Sequence, residues 1–234
     1  MGRLLLVRHG QASFGADDYD ALSELGAEQA RVLGKSLAGR GLRPDLVLCG
    51  SLRRQEATAA GILEGLGDQT VPVSADPGWD EFDFQHVVEV HQPAYRDRAY
   101  LTAELARSDQ PARAFQEIFE AATGRWCSGD FDTEYTESFP AFRERVADAL
   151  ERGGELLRQQ HRDVVVVSSG GPIAMAVAQL TAGRDANPAI WAALNRVTVN
   201  TGVTKLVSGR RGLWMSTFNE HTHLESDPRL LTYR

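Results

Sequence analysis

The sequence is poor in cysteine, with 2 in 234 residues, Cys49 and Cys127. They stand far apart and in no metal-ligand spacing, which excludes a disulfide-built scaffold; both are expected as free thiols in a reducing compartment. No stretch approaches about 18 uninterrupted apolar residues, and the amino terminus lacks the apolar core of a signal peptide. No membrane association is therefore expected, and the cytoplasm is the expected location. Positive charge is also short: 25 Lys and Arg against 32 Asp and Glu, a formal net charge of -7. That excludes nonspecific attraction to nucleic acid or anionic membranes, so any anion site must be a local basic pocket in an acidic protein. Internal repeats, low-complexity segments and linkers are absent too. What remains, 42% hydrophobic and 24% charged residues, can bury a good core. The length suits one α/β domain or one domain carrying a large insertion.

The most informative stretch is Leu4-Leu5-Leu6-Val7-Arg8-His9-Gly10-Gln11-Ala12-Ser13. Its apolar run reads as a buried strand that leaves the sheet at Gly10. Ligands of α/β proteins sit at the carboxyl ends of such strands. Arg8 offers a planar fork of donors for phosphate, and His9 is the side chain suited to base or nucleophile chemistry near neutral pH. After a loop over Phe14 to Leu22, Ser23 N-caps a helix whose Ala30, Leu33 and Leu37 share one face and which Gly39 and Gly41 end. Asp45 to Cys49 follows as a second buried strand, completing a βαβ unit.

That strand runs into Gly50-Ser51-Leu52-Arg53-Arg54-Gln55-Glu56, the opening of another helix. Cations are disfavoured by the positive end of the helix dipole, and a bound anion would resolve the conflict. A solvated first turn is the competing explanation. Val71 to Val73 is a short edge strand, followed by Gly78-Trp79-Asp80-Glu81-Phe82-Asp83-Phe84. A carboxylate among aromatic rings can be raised in pKa and serve as a general acid; on its own the stretch would read as a surface turn. From His86 to about Thr136 helical periodicity around Tyr95 to Ala106 and Phe115 to Ala122 is interrupted by Pro93, Pro111 and Gly124. This is a helical insertion able to cover a pocket, assigned to about 85–136. Ser138 and Pro140 open a long helix with Phe142, Val146, Leu150 and Leu157 on one face, weakened in its middle by Gly153 and Gly154. Val164 to Val167 is a central parallel strand that empties into Ser168-Ser169-Gly170-Gly171-Pro172, a second anion-binding candidate at a helix start. Val203 to Val207 and Leu213 to Phe218 form a terminal hairpin around Gly209 to Gly212.

Three strand ends thus carry polar chemistry: Arg8-His9, Arg54 and Ser169-Gly170. Together they resemble the histidine phosphatase superfamily, also called the phosphoglycerate mutase-like family. Leu-Val-Arg-His-Gly is similar to its signature, Ser51-Leu52-Arg53-Arg54 with Thr58-Ala59 to its second arginine motif, and the stretch holding Glu81 to its acidic motif. Asn200 to Thr204 and Asn219 to Leu224 resemble its closing strands and tail. The resemblance spans nearly the whole chain apart from the insertion. It implies one domain over 1–234, an α/β three-layer αβα sandwich with a mostly parallel sheet. It further implies His9 as the phosphorylated nucleophile, Glu81 as proton donor, and Arg8 and Arg54 as the phosphate clamp. No metal or other cofactor is implied, and the partner is a small phosphomonoester or phosphate. Gln11 and Ser13 belong to the loop expected to contact substrate. His161, His221 and His223 are read as structural.

One departure stands out. The family pattern Ser-His-Gly-Gly is here Ser168-Ser169-Gly170-Gly171. Ser169 can donate one hydrogen bond but supplies no positive charge, and losing a charged donor at a transition state costs about 2–4 kcal/mol, roughly 10²–10³ in rate. The amides after Gly170 can still receive a phosphate oxygen. The sequence therefore reads as a metal-independent phosphatase whose activity is weakened at Ser169. The rival reading is an impaired relative that binds a phosphorylated ligand or a protein partner. A third option has His86 or His91 replace the absent imidazole. A mutase is disfavoured, because Phe14-Gly15 and Asp83-Phe84-Gln85-His86 depart from the mutase motifs. The physiological substrate and the oligomeric state, a homodimer among the options, are not written in the motifs.

Overall fold

The computed structural model describes residues 2–13, 20–159 and 161–233. Phe14 and Gly15, which carry part of the argument against a mutase, lie outside the described residues. The contacts divide the chain into two units, Met1–Glu81 with Arg145–Arg234, and Phe82–Glu144.

The first unit is built on a six-stranded sheet. Its strands are β1 (Arg3–Arg8), β2 (Leu46–Cys49), β3 (Val73–Ala75), β4 (Asp163–Ser168), β5 (Val203–Gly209) and β6 (Gly212–Glu220), in the order β3-β2-β4-β1-β5-β6. β3, β2, β4 and β1 are parallel, and β5 and β6 extend the β1 edge in antiparallel fashion. The four inner residues of β1, Leu4 to Val7, and of β4, Val164 to Val167, are apolar and buried, as expected of strands covered by helices on both faces. On one face Leu5, Val7, Val47, Val165 and Val167 meet α1 (Glu24–Gly39) and α2 (Arg53–Leu66) through Leu33, Leu37, Ile62 and Leu66. Leu4 points the other way, toward Gly153 of α6 (Phe139–Gln159), where a Cβ would come within 3.0 Å of the leucine. Gly153 thus lets α6 pack closely on that side chain. This is the expected α/β sandwich with a mostly parallel sheet.

Parallel register aligns the strand ends. Arg8 pairs with Ser168 and Cys49 with Val167, and the ladder continues past the strands, with His9 N–H donating to Ser168 O at 2.8 Å and Gly50 N–H to Val167 O at 3.1 Å. The three polar stretches consequently leave the sheet side by side. At Gly10 the turn is possible only without a side chain, since a Cβ there would overlap the backbone of Gly26, and one on Gly26 the backbone of Gln11. Ser23 N-caps α1 as expected, its hydroxyl accepting Gly26 N–H at 3.0 Å. The edge strand falls at Val73–Ala75 rather than Val71 to Val73, because Pro72 has no N–H to donate; its carbonyl instead accepts Val47 N–H at 2.9 Å.

The second unit is helical, with α3 (Phe84–His91), α4 (Arg98–Leu105) and α5 (Pro111–Cys127). The expected break at Pro111 is present: α4 ends at Leu105 and Pro111 is the first residue of α5, where its missing N–H costs nothing. The expected break at Gly124 is corrected, since that glycine lies inside α5. An aromatic cluster organises the unit: Trp126 stacks on Phe82 at 4.7 Å and meets Phe139 edge-on at 5.1 Å. α7 (Gly170–Ala182) and α8 (Pro188–Val197) complete the first unit. α8 carries no strong start signal besides Asn187-Pro188, and the sequence reading leaves it out.

Candidate active site

His9 sits just beyond β1, only 7% exposed, as is Arg54. Its ring Nδ1 lies 2.7 Å from Gly10 O. A carbonyl oxygen only accepts, so Nδ1 carries the proton. Arg54 Nε–H donates to the other ring nitrogen, Nε2, at 3.2 Å. These partners assign a neutral imidazole with its lone pair on Nε2. Burial first, then the charges of Arg54 and Arg8, hold the imidazole well below its usual pKa, while the bond to Gly10 O opposes them. The backbone is equally fixed. Gly10 N–H donates to Thr58 Oγ1 at 3.0 Å, and Asn200 Nδ2 donates to His9 O at 3.0 Å.

Asn200 links the site to the chain's end. Its Oδ1 accepts Thr232 Oγ1–H at 2.9 Å, Gln29 Nε2 donates to Thr232 Oγ1 at 2.8 Å, and Gln29 Oε1 accepts Gln11 N–H at 2.8 Å. Gln11 is therefore engaged on both sides, its own Oε1 receiving Ser23 Oγ–H at 3.0 Å. Ser13 N–H pairs with Ala21 O at 2.9 Å. The Arg8 guanidinium is oriented by backbone carbonyls, those of Thr198 and, at 2.8 Å, Tyr233.

The arginine conflict at the start of α2 is resolved from within the chain. Asp20 Oδ2 accepts Arg53 N–H at 2.9 Å, and Oδ1 pairs with Arg54 Nη1 at 2.7 Å. The sequence reading takes Asp20 only as part of a loop. The acids of the 78–84 stretch separate into different tasks. Asp80 receives Ser51 N–H and Oγ–H at 2.5 and 2.6 Å. Asp83 caps α3 through His86 N–H at 3.0 Å. Glu81 alone turns to α7, accepting Gly171 N–H at 3.2 Å.

Ser169 is fully buried at the N-cap of α7. Its hydroxyl accepts Gln55 Nε2–H at 3.0 Å; Gln55 also donates to Trp79 O at 3.2 Å, which Ser168 Oγ–H joins at 2.7 Å. At Gly170 a Cβ would stand 2.6 Å from Asn195 Oδ1, so a side chain there would displace that carboxamide, and 3.7 Å from Arg8 Nε. His9, Arg54, Gln55, Ser169, Gly170, Arg8 and Glu81 thus form one chain of neighbours in the first unit. Thr58 and Asn200 lie in stretches that carry the resemblance, yet nothing local tells that they hold the His9 turn, and Gln55 has no signal beyond its place beside Arg54. His86 and His91 belong to the second unit, where His86 Nε2 accepts Thr136 N–H at 3.1 Å. Among the described residues no group of three or more His, Cys, Asp or Glu is placed to hold a metal, and no helix is long and apolar enough to cross a membrane.

A second histidine supports the bend that closes the site. Thr201, at φ 56°, turns the chain into β5 with its N–H on Arg8 O at 3.0 Å, and its hydroxyl lies 3.1 Å from His223 Nε2. Burial, aided by the charges of Arg40 and His221 against that of Glu220, pushes His223 down to about 4. The fold favours the neutral ring, so this contribution is full above about pH 6.5 and is lost as pH falls toward 4. A drop of up to about 3 kcal/mol in unfolding free energy across that window is expected. Urea titrations at pH 7 and 4.5 on wild type and His223→Gln check it: the variant's drop should be distinctly smaller, and equal drops would refute the assignment.

Comparisons with known proteins identify the family. Residues 4–221 match the model of the histidine phosphatase superfamily (branch 1). Curated relatives include 2,3-bisphosphoglycerate-dependent phosphoglycerate mutases of Methylobacterium sp., 39% identical over 88 residues (35% of this chain, 42% of the mutase), and Chelativorans sp., 37% identical over 89 residues (36% and 43%). The matches thus span less than half the length of these relatives. Among solved structures, a phosphoglycerate mutase from Bacillus anthracis superposes with TM-score 0.66 at 17% identity, covering 96% of this chain and 95% of that one. The alpha-ribazole phosphatase from Shigella flexneri gives 0.62 at 22% (93% and 96%), and a mycobacterial glucosyl-3-phosphoglycerate phosphatase 0.59 at 21% (95% and 100%). At these identities the structures speak for the fold, and the family model, running from β1 into the tail, places this chain in the histidine phosphatase superfamily, branch 1.

Proposed function

We propose that the protein is a metal-independent phosphomonoesterase acting through a phosphohistidine at His9. The observation that carries the reading is the buried His9–Arg54 pair: a neutral imidazole whose tautomer is set by Gly10 O and whose lone pair faces a guanidinium. In the first step Nε2 attacks phosphorus, the N–P bond forms, and the ester P–O bond breaks. The leaving oxygen takes its proton from the Glu81 carboxyl. Arg54 turns its fork from the imidazole to the phosphoryl oxygens, and Arg8 with the amides at the start of α7 shares the remaining charge. Nδ1–H stays on Gly10 O, which favours the positive ring while phosphorus is attached. In the second step water attacks phosphorus, Glu81 takes its proton, and the N–P bond breaks to release phosphate. The departures from the mutase motifs favour hydrolysis over transfer between substrates.

A second reading, binding without efficient turnover, is favoured by Ser169, whose hydroxyl already serves Gln55. Incubation with a radiolabelled phosphomonoester, followed by rapid quenching, tests the mechanism. Label on the protein that survives alkali and is lost in acid, as a phosphoramidate requires, supports it. Turnover without such label sinks it. Absence of turnover, with inorganic phosphate still raising the melting temperature, moves the second reading ahead.

A further inference from the structure

Arg54 joins His9 to Asp20. Its Nε faces His9, and its Nη1 holds Asp20 at 2.7 Å. The same carboxylate receives the first amide of α2, Arg53 N–H, at 2.9 Å. A guanidinium and a helix-start amide converging on one oxyanion are what a phosphoryl group would ask for. The two ends of the pair are unequally fixed: the Arg54 side chain is 8% exposed and that of Asp20 30%. The cation is held inside, whereas the anion reaches water.

We propose that Asp20 is a specificity-determining residue that occupies the anion position of the site, so that substrate enters by exchange with its carboxylate. The inference rests on the reading of Arg54 as a phosphate ligand. The exchange sets a threshold of charge. A phosphomonoester dianion brings more charge and more acceptor oxygens than the carboxylate it replaces. A phosphodiester, a sulfate ester or a carboxylic acid brings a single charge and gains little over Asp20 at the same guanidinium. The substrates are therefore compounds with a terminal, doubly ionised phosphate, and singly charged anions are excluded by the protein's own carboxylate.

Calorimetric titration of inorganic phosphate and of phenyl sulfate into wild type, Asp20→Asn, Asp20→Ser and Arg54→Ala tests this. Asp20→Ser retains an acceptor for Arg53 N–H, which guards against a mere loss of the helix start. Both Asp20 variants are expected to bind phosphate about tenfold to a hundredfold more tightly. Phenyl sulfate should gain by a similar factor, since both anions displace the same carboxylate, and so rise from below the threshold to measurable binding. Unchanged or weaker phosphate binding in both variants overturns the proposal and makes Asp20 a residue that merely positions Arg54. Phosphate binding in Arg54→Ala equal to wild type overturns instead the assignment of Arg54 as phosphate ligand. Binding by neither wild type nor the Asp20 variants overturns both.

Discussion

His9→Ala is expected to lower turnover of an aryl phosphate by about 10⁴-fold or more while leaving phosphate binding largely intact. Deleting a nucleophile removes the covalent route outright, and the remaining donors supply only the residual catalysis of a charged pocket. The variant should fold. The interactions that anchor this turn, Asn200 on His9 O and Gly10 N–H on Thr58, are made by the backbone and survive the substitution. Arg54 keeps its bond to Asp20, so an anion still finds a guanidinium. Loss of the buried ring removes a group that burial holds neutral, so stability on the acid side should suffer less in the variant than at neutral pH. Steady-state kinetics beside phosphate titration give the comparison. Activity within tenfold of wild type would place the nucleophile elsewhere, and cysteine would be a poor substitute: burial pushes the Cys49 and Cys127 thiols up to about 11 and about 12, far from the thiolate form.

The parts of the site that could be read in the sequence are those whose signal is local. An apolar run ending in Arg8-His9-Gly10 announces a strand and its polar tip within a few residues. The Ser23 cap and the apolar stripe of α1 are equally local. Parallel register then brings Arg8, Ser168 and Cys49 to one end of the sheet, which follows from the βαβ order. The supports were hidden because each depends on distant chain. Asn200 matters through His9 O, 191 positions away, and Gln55 through Ser169, 114 away. Asp20 looked like one more loop acid, since nothing nearby says that it will meet Arg54. The arginine conflict at α2 was a sound physical signal, but the chain answers it with its own carboxylate. Gly124 misled for another reason: a residue that weakens helices in general is tolerated in an exposed stretch, and the apolar face of α5 outweighs it.

The serine at 169 was the clearest departure in the sequence, and the structure changes what should be expected of reversing it. With only the motif in view, Ser169→His restores a charged donor, and a gain of about 10²–10³ in rate would follow. The fold makes that gain conditional. Ser169 is completely buried, and the Gln55 carboxamide stands 3.0 Å from its hydroxyl. An imidazole projecting beyond the position of that hydroxyl would meet this carboxamide, and overfilling a packed interior costs about 1–3 kcal/mol. Ser169→His alone is therefore expected to lose stability without regaining the full rate. Gln55→Ala alone loses the bonds to Leu52 N–H, Trp79 O and Ser169, worth about 0.5–1.5 kcal/mol each. The double variant should be more stable than the sum of the two single losses by about 1 kcal/mol or more, because the small residue makes the room that the ring needs. Its turnover should exceed that of Ser169→His by about tenfold or more. Chemical denaturation and aryl phosphate kinetics on the four proteins close the cycle. Strict additivity in both quantities would mean that Gln55 does not fill the space of the missing ring, and a full rate in Ser169→His alone would mean that serine is the only defect.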